Sequence, residues 1–230
     1  MNKVAISSLI VGLSLVLNAS EIQCKTAVQS FSNMSKISKG DFSANVLFKD
    51  VKFTQNSIGY GAGKDKQYEI SILDGKIYMA RPQKNGKTIV RHVAKNDDGA
   101  AMLQVANVQT WEQYKTLDGI DSVDLLNFEL DDIAENSSCG NDLVLPFKIV
   151  GHANSVKWSM DTDNHRIDNM KGQDIVIDGI YAKNKANKIK YFMVKGTNSH
   201  MHVILVKKDL AGHLKDLNLN EGAKLYLPSK

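Results

Sequence analysis

Residues 68–80 read Tyr68-Glu69-Ile70-Ser71-Ile72-Leu73-Asp74-Gly75-Lys76-Ile77-Tyr78-Met79-Ala80, two apolar runs on either side of Asp-Gly. A two-residue hairpin turn needs positive φ at both central positions, and Asp-Gly is among the few pairs that accept it. The stretch therefore predicts a β-hairpin. Its first strand puts Tyr68, Ile70 and Ile72 on one face and Glu69 and Ser71 on the other. Further strand-like runs lie at 101–108, 143–150, 175–177, 189–194 and 201–206. Residues 25–50 predict a short helix and a strand, and 96–99 a loop. The segment 116–135 carries seven acidic residues with apolar ones at helical intervals, which predicts one or two surface helices with a solvated acidic face. Asn136-Ser137-Ser138-Cys139-Gly140-Asn141 is the best linker in the chain. Lysines at 183, 185, 188 and 190 suit an exposed loop and strand edge. The fold class is thus β-rich, α/β or α+β. Two lobes are expected, 20–140 and 141–230, with no internal repeat.

The chain has 230 residues with 43% hydrophobic and 23% charged residues and three prolines, a globular composition that excludes disorder and collagen-like structure. A net charge of +4 is too small to point to nucleic acid. Residues 1–19 have the layout of a secretory signal peptide: Lys3, an apolar stretch over 4–17, and small-residue cleavage after Ala19. That stretch is shorter than the roughly 20 residues a membrane span requires. A periplasmic or secreted protein is expected, with no membrane attachment after cleavage. Removing 19 of the 230 residues leaves 211 and, with Lys3 gone, a charge of +3. Cys24 and Cys139 would then lie in an oxidising compartment, where they are either joined or free.

Three of the six histidines fall within 14 residues: His200, His202 and His213. His200 and His202 share a face only on a strand, and the β-branched and aliphatic run after them supports one. If the chain turns back near Lys207-Lys208, His213 comes opposite His202 and three imidazoles converge. Three protein ligands with an open position describe a catalytic zinc site, and imidazole also suits zinc's first-row neighbours. A His-x-His pair by itself is equally compatible with surface or satisfied core histidines. His92, His152 and His165 read as structural or exposed.

His200-x-His202 followed by Gly212-His213-Leu214-Lys215-Asp216-Leu217 resembles the metal-binding hairpin of the alpha-acetolactate decarboxylase family. Residues 69–78 resemble that family's Glu-bearing strand and Leu-Asp-Gly turn, and Pro146-Phe147-Lys148-Ile149-Val150-Gly151 its arginine strand. The resemblance implies a two-lobed fold with a mixed-sheet N-terminal lobe and a small β-barrel-like C-terminal lobe. It also implies a homodimer, and Zn2+ held by His200, His202 and His213. The implied reaction takes 2-acetolactate to acetoin and CO2. A divalent cation on the hydroxyl and ketone oxygens stabilises the charge left on an enediolate. Glu69 and Lys148 are the implied catalytic residues, managing proton delivery.

Two departures qualify the resemblance. Lysine at 148 keeps the charge of the family's arginine but loses its planar fork. The family's glutamate beyond a Leu-Pro has no counterpart after Leu227-Pro228. Three functions follow. The first is an exported carboxy-lyase for a small 2-hydroxy-3-keto acid. The second is a periplasmic metal- or small-ligand-binding protein of the same fold without decarboxylase activity. The third is a β-rich interaction module whose histidines are incidental.

Overall fold

Asp74 and Gly75 both take positive φ, 50° and 73°, and Leu73 pairs with Lys76 across the turn. The predicted hairpin is therefore formed, with Glu69–Leu73 and Lys76–Pro82 as its strands. The computed structural model describes residues 22–24 and 26–229, so the leader read over 1–19 lies outside the described residues.

The hairpin belongs to a seven-stranded antiparallel sheet. Its strands are β1 (Val28–Ser32), β2 (Val46–Leu47), β3 (Ser57–Gly63), β4 (Glu69–Leu73), β5 (Lys76–Pro82), β6 (Thr88–Arg91) and β7 (Gly99–Asn107). They lie in the order β1-β7-β3-β4-β5-β6, with β2 also on β7, and a short helix α1 (Met34–Ile37) follows β1. Tyr68, Ile70 and Ile72 pack with Phe48, Met79 and Leu103 on one side of this sheet. Glu69 and Ser71 face the opposite way, towards the second sheet, as the alternation requires.

The second sheet holds β8 (Trp111–Thr116), β9 (Val144–Met160), β10 (Arg166–Ala182), β11 (Ser199–Leu205), β12 (Leu210–Leu219) and β13 (Lys224–Pro228). Its order is β10-β11-β12-β9-β13-β8. β10 also pairs with β9 from Arg166↔Met160 to Ala182↔Val144, so the pairing runs from β10 through β11, β12 and β9 and back to β10. Between β8 and β9 lies α2 (Val123–Asn136). Ser122 caps α2 by accepting from the Leu125 N–H at 3.2 Å, and Leu126, Leu130 and Ile133 bury the stripe that meets the sheet. β8 and α2 lie before residue 140 in sequence, yet they join the second sheet and its core.

The two sheets meet through Ile58, Tyr78 and Ala106 of the first and Val176, Ile204 and Ala211 of the second. Truncating a fully buried Ile or Leu of this kind costs about 2–5 kcal/mol. Cys24 and Cys139 form a disulfide with a Cα separation of 5.1 Å, which closes the alternative the sequence left open. Among the described residues no helix is long and apolar enough to cross a membrane.

One expected strand is absent. Residues 189–194 do not extend a sheet; the chain there leaves a helix, α3 (Lys185–Lys190). Asn184 starts it by accepting from the Asn187 N–H at 2.8 Å. That local cap, with lysines exposed around the helix, outweighs the strand preference of the apolar residues that follow.

Candidate metal centre

β11 carries His200 and His202 on one face. A short turn over Val206–Lys208 ends at Asp209 in the left-handed region, φ 53°, and sends β12 back so that His202 pairs in register with His213. The close return depends on Gly212, where a Cβ would come within 2.5 Å of the Ser159 carbonyl oxygen. Ring centroids of the three imidazoles are separated by 4.6 to 5.6 Å. One nitrogen from each lies within 4.8 Å of the other two, close enough for one cation. The convergence expected from the sequence is present.

Tyr60 of β3, fully buried, stacks on His200 at 4.0 Å and lies 5.5 Å from His202, and its hydroxyl donates to the Tyr191 carbonyl at 2.7 Å. The outer nitrogens of two histidines are occupied. His200 Nδ1 donates to the Phe192 carbonyl at 2.6 Å, and His202 Nδ1 pairs with Ser71 Oγ at 2.7 Å. Their Nε2 atoms are buried and have no hydrogen-bond partner. Metal-bound histidines show this pattern: one nitrogen fixed from behind, the other bare. Burial holds His200 down to about 4. Burial first and the neighbouring His200 next hold His213 down to about 2, and His202 is lowered well below 6.5 for the same reasons. Neutral imidazoles are the form that binds a metal. The donor set fits a first-row divalent cation.

Phe192 presents its carbonyl from a strained position, φ 56°. It sits just past α3, where the Met193 N–H returns to the Lys188 carbonyl at 2.9 Å, a helix ending in which glycine is usual. Holding an aromatic residue there costs about 1–2 kcal/mol.

Glu69 lies against this cluster. Its Oε1 is 3.5 Å from His202 Nε2, and its Oε2 accepts the Asp161 backbone N–H at 2.9 Å. Burial first, and the Asp161 carboxylate next, push Glu69 up to about 8, so in the metal-free site it is mostly neutral at pH 7. The Asp161 carboxylate stands at the end of β9, 2.9 Å from His165 Nδ1, 3.8 Å from His213 Nδ1 and 3.9 Å from Lys215 Nζ.

Lys148 is not brought to the cluster. It shares the row Lys148, Asp178, His202, His213 across the second sheet. Its ammonium, however, donates to Asp74 at 2.9 Å and lies over the Trp111 and Tyr226 rings. Along β4 and into its turn the contacts run in order: Glu69 at His202 Nε2, Ser71 at Nδ1, then Asp74 at Lys148. Lys148 is therefore on the far side of the ring from the bare nitrogen. Asp178 beside it is fully buried, and burial pushes its carboxyl well up.

Sequence reasoning missed Ser71, Asp161, Phe192 and Lys215, which meet the site through chain reversals and a backbone carbonyl. His165 is exposed, as expected, and pairs with Asp161 at the site's rim. His92 and His152 are occupied elsewhere, by Asp209 and Asp174.

No protein-family model matches the sequence, and no curated protein matches it. Solved structures do. The crystal structure of alpha-acetolactate decarboxylase from Bacillus subtilis strain 168 is similar with a TM-score of 0.68 at 16% identity, over 88% of this chain and 85% of that one. Acetolactate decarboxylase from Bacillus subtilis subspecies spizizenii gives 0.68 at 15%, over 88% and 86%. A Staphylococcus aureus protein of unknown function, described as similar to alpha-acetolactate decarboxylase, gives 0.63 at 13%, over 87% and 85%.

Proposed function

We propose that this chain, which has the fold of the acetolactate decarboxylases, is an exported zinc-dependent carboxy-lyase. Its substrate is 2-acetolactate or a related 2-hydroxy-3-keto acid, and acetolactate would give acetoin and CO2. The observation that carries this reading is the set of bare, buried histidine nitrogens facing a buried glutamic acid. His200, His202 and His213 would hold the metal. When bound, a divalent cation supplies a Lewis acid for the substrate's hydroxyl and ketone oxygens as charge develops on them.

The protein's own groups do the rest. Loss of CO2 breaks a carbon–carbon bond and leaves that carbon needing a proton. Glu69 Oε2 is committed to the Asp161 N–H, so the proton of the neutral acid sits on Oε1, which faces the histidines. Delivery from one fixed oxygen reaches one face of the carbon, which sets the product's handedness. Beside His213 opens a cavity of about 260 Å³, lined by the apolar Val123, Val194, Met201 and Leu214 and by Lys215. It is large enough for 2-acetolactate, an acid of nine heavy atoms.

The leader-like residues 1–19 and the Cys24–Cys139 disulfide support export, since disulfides persist in oxidising compartments. A second reading, metal or small-ligand binding without turnover, draws on Lys148, whose charge is committed to Asp74. Metal analysis paired with an acetoin assay separates the two. About one zinc per chain with acetoin formation is expected; a folded, zinc-loaded protein with no turnover sinks the lyase and leaves the binding reading.

A further inference from the structure

β12 pairs with β9 so that Leu214 faces Trp158 and Asp216 faces the adjacent Lys157. Lys215 is thus the extra residue of a β-bulge, a device that re-aims a side chain and is frequent next to active sites. The side chain lines the same cavity as His213. Its ammonium makes no hydrogen bond among the described residues, and its nearest acid is Asp161 Oδ2 at 3.9 Å. The side chain is 35% exposed, so the charge is reachable from solvent.

We propose that Lys215 is the substrate-carboxylate anchor of this site. The assignment rests on the carboxy-lyase reading for the identity of the anion, while the placement of the charge stands on the bulge and the cavity. The other charges lining the cavity are Asp124 and Lys195, which offset one another, and Lys215, 3.9 Å from Asp161, is the lining cation beside His213.

The chemistry suits a lone ammonium. A carboxylate that leaves as CO2 gives up its charge, so a cation gripping it in two places would stabilise the reactant more than the transition state. One donor on a bulge orients the group and lets it go. Removing it therefore raises KM and leaves kcat unchanged or higher.

The test uses the full chain loaded with zinc and two unreactive probes, 2-hydroxy-2-methylpropanoate and its neutral amide, titrated by calorimetry. Wild type is expected to prefer the carboxylate. A charge-assisted hydrogen bond implies that Lys215→Met cuts that preference about tenfold or more, with affinity for the amide retained and Lys215→Arg restoring the preference. Three results would overturn the assignment: a preference that survives Lys215→Met, joint loss of both probes in that variant, or a loss carried by Lys148→Met instead. If wild type forms no acetoin but the preference still depends on Lys215, the lyase reading fails and the anchor stands.

Discussion

Ser71 is a short side chain with one strong contact, its Oγ 2.7 Å from His202 Nδ1 in surroundings where both residues are buried. Ser71→Ala removes that contact and leaves a buried ring nitrogen without a partner. Most of the desolvation cost, about 1–3 kcal/mol, falls on metal-free and metal-bound protein alike and cancels in the affinity. What does not cancel is the ring's orientation and tautomer. Ser71 holds both so that the bare Nε2 points at the site, and without it packing against Tyr60 at 5.5 Å and His213 at 5.6 Å must do so alone. Losses of this kind weaken metal binding about 10- to 100-fold, or about 1.4–2.8 kcal/mol. Competition against a chromogenic chelator at neutral pH measures it directly. A folded Ser71→Ala protein with wild-type zinc affinity would refute the reasoning, because His202 would then bind no metal through Nε2 or need no support from behind.

Without metal, the three histidines are neutral when folded but titrate near 6.5 when unfolded. Their folded pKa values are depressed, so the stability they confer is present above 6.5 and lost as pH falls towards about 4. Glu69 has the opposite sign: raised to about 8, it contributes fully below 4.5 and less as pH rises through 8. Between 4.5 and 6.5 three protons oppose one, so chelator-treated protein should lose at most about 2.7 kcal/mol per pH unit on acidification. Denaturant midpoints at pH 7 and 5.5 check this, and a flat or rising profile contradicts it. Replacing Cys24 and Cys139 together with serine should cost about 2–5 kcal/mol, read from the same unfolding curves with and without reductant. Gly212→Ala would push a methyl to 2.5 Å from the Ser159 carbonyl oxygen and 2.8 Å from the Trp158 ring. It should therefore destabilise by about 1–3 kcal/mol or more, and displace His213 enough to lower zinc stoichiometry.

Local signals in the sequence were enough for the two hairpins that matter. Asp74-Gly75 needs no knowledge of the rest of the chain, and the spacing from His202 to His213 sets its own register once a strand and a turn are assumed. The approach of Glu69 to His202 was not legible from spacing, since they stand 133 positions apart; only the family resemblance put them together. Asp161 reaches the site because a 17-residue strand ends there, a fact of sheet coiling that no local pattern encodes. Phe192 acts through its backbone carbonyl, so its residue type gives no sign. Lys215 is informative only once the bulge is known, which requires the partner strand. The misread segment 189–194 shows the reverse error, apolar composition overriding a cap three residues before Asn187.

The disulfide has a mechanical consequence. Cys24 and Cys139 are 115 positions apart, and every strand of the first sheet lies between them. Tension applied at the two ends of the described chain would pass from Cys24 directly to Cys139 and on through β9 to β13. The first sheet, with Glu69, Ser71 and Tyr60 on it, would carry none of that force along its own backbone. A single backbone cut inside the enclosed segment would likewise leave both pieces joined. The part of the site supplied by the first sheet is held in a closed covalent ring, so end-to-end pulling bypasses it and a single nick does not release it.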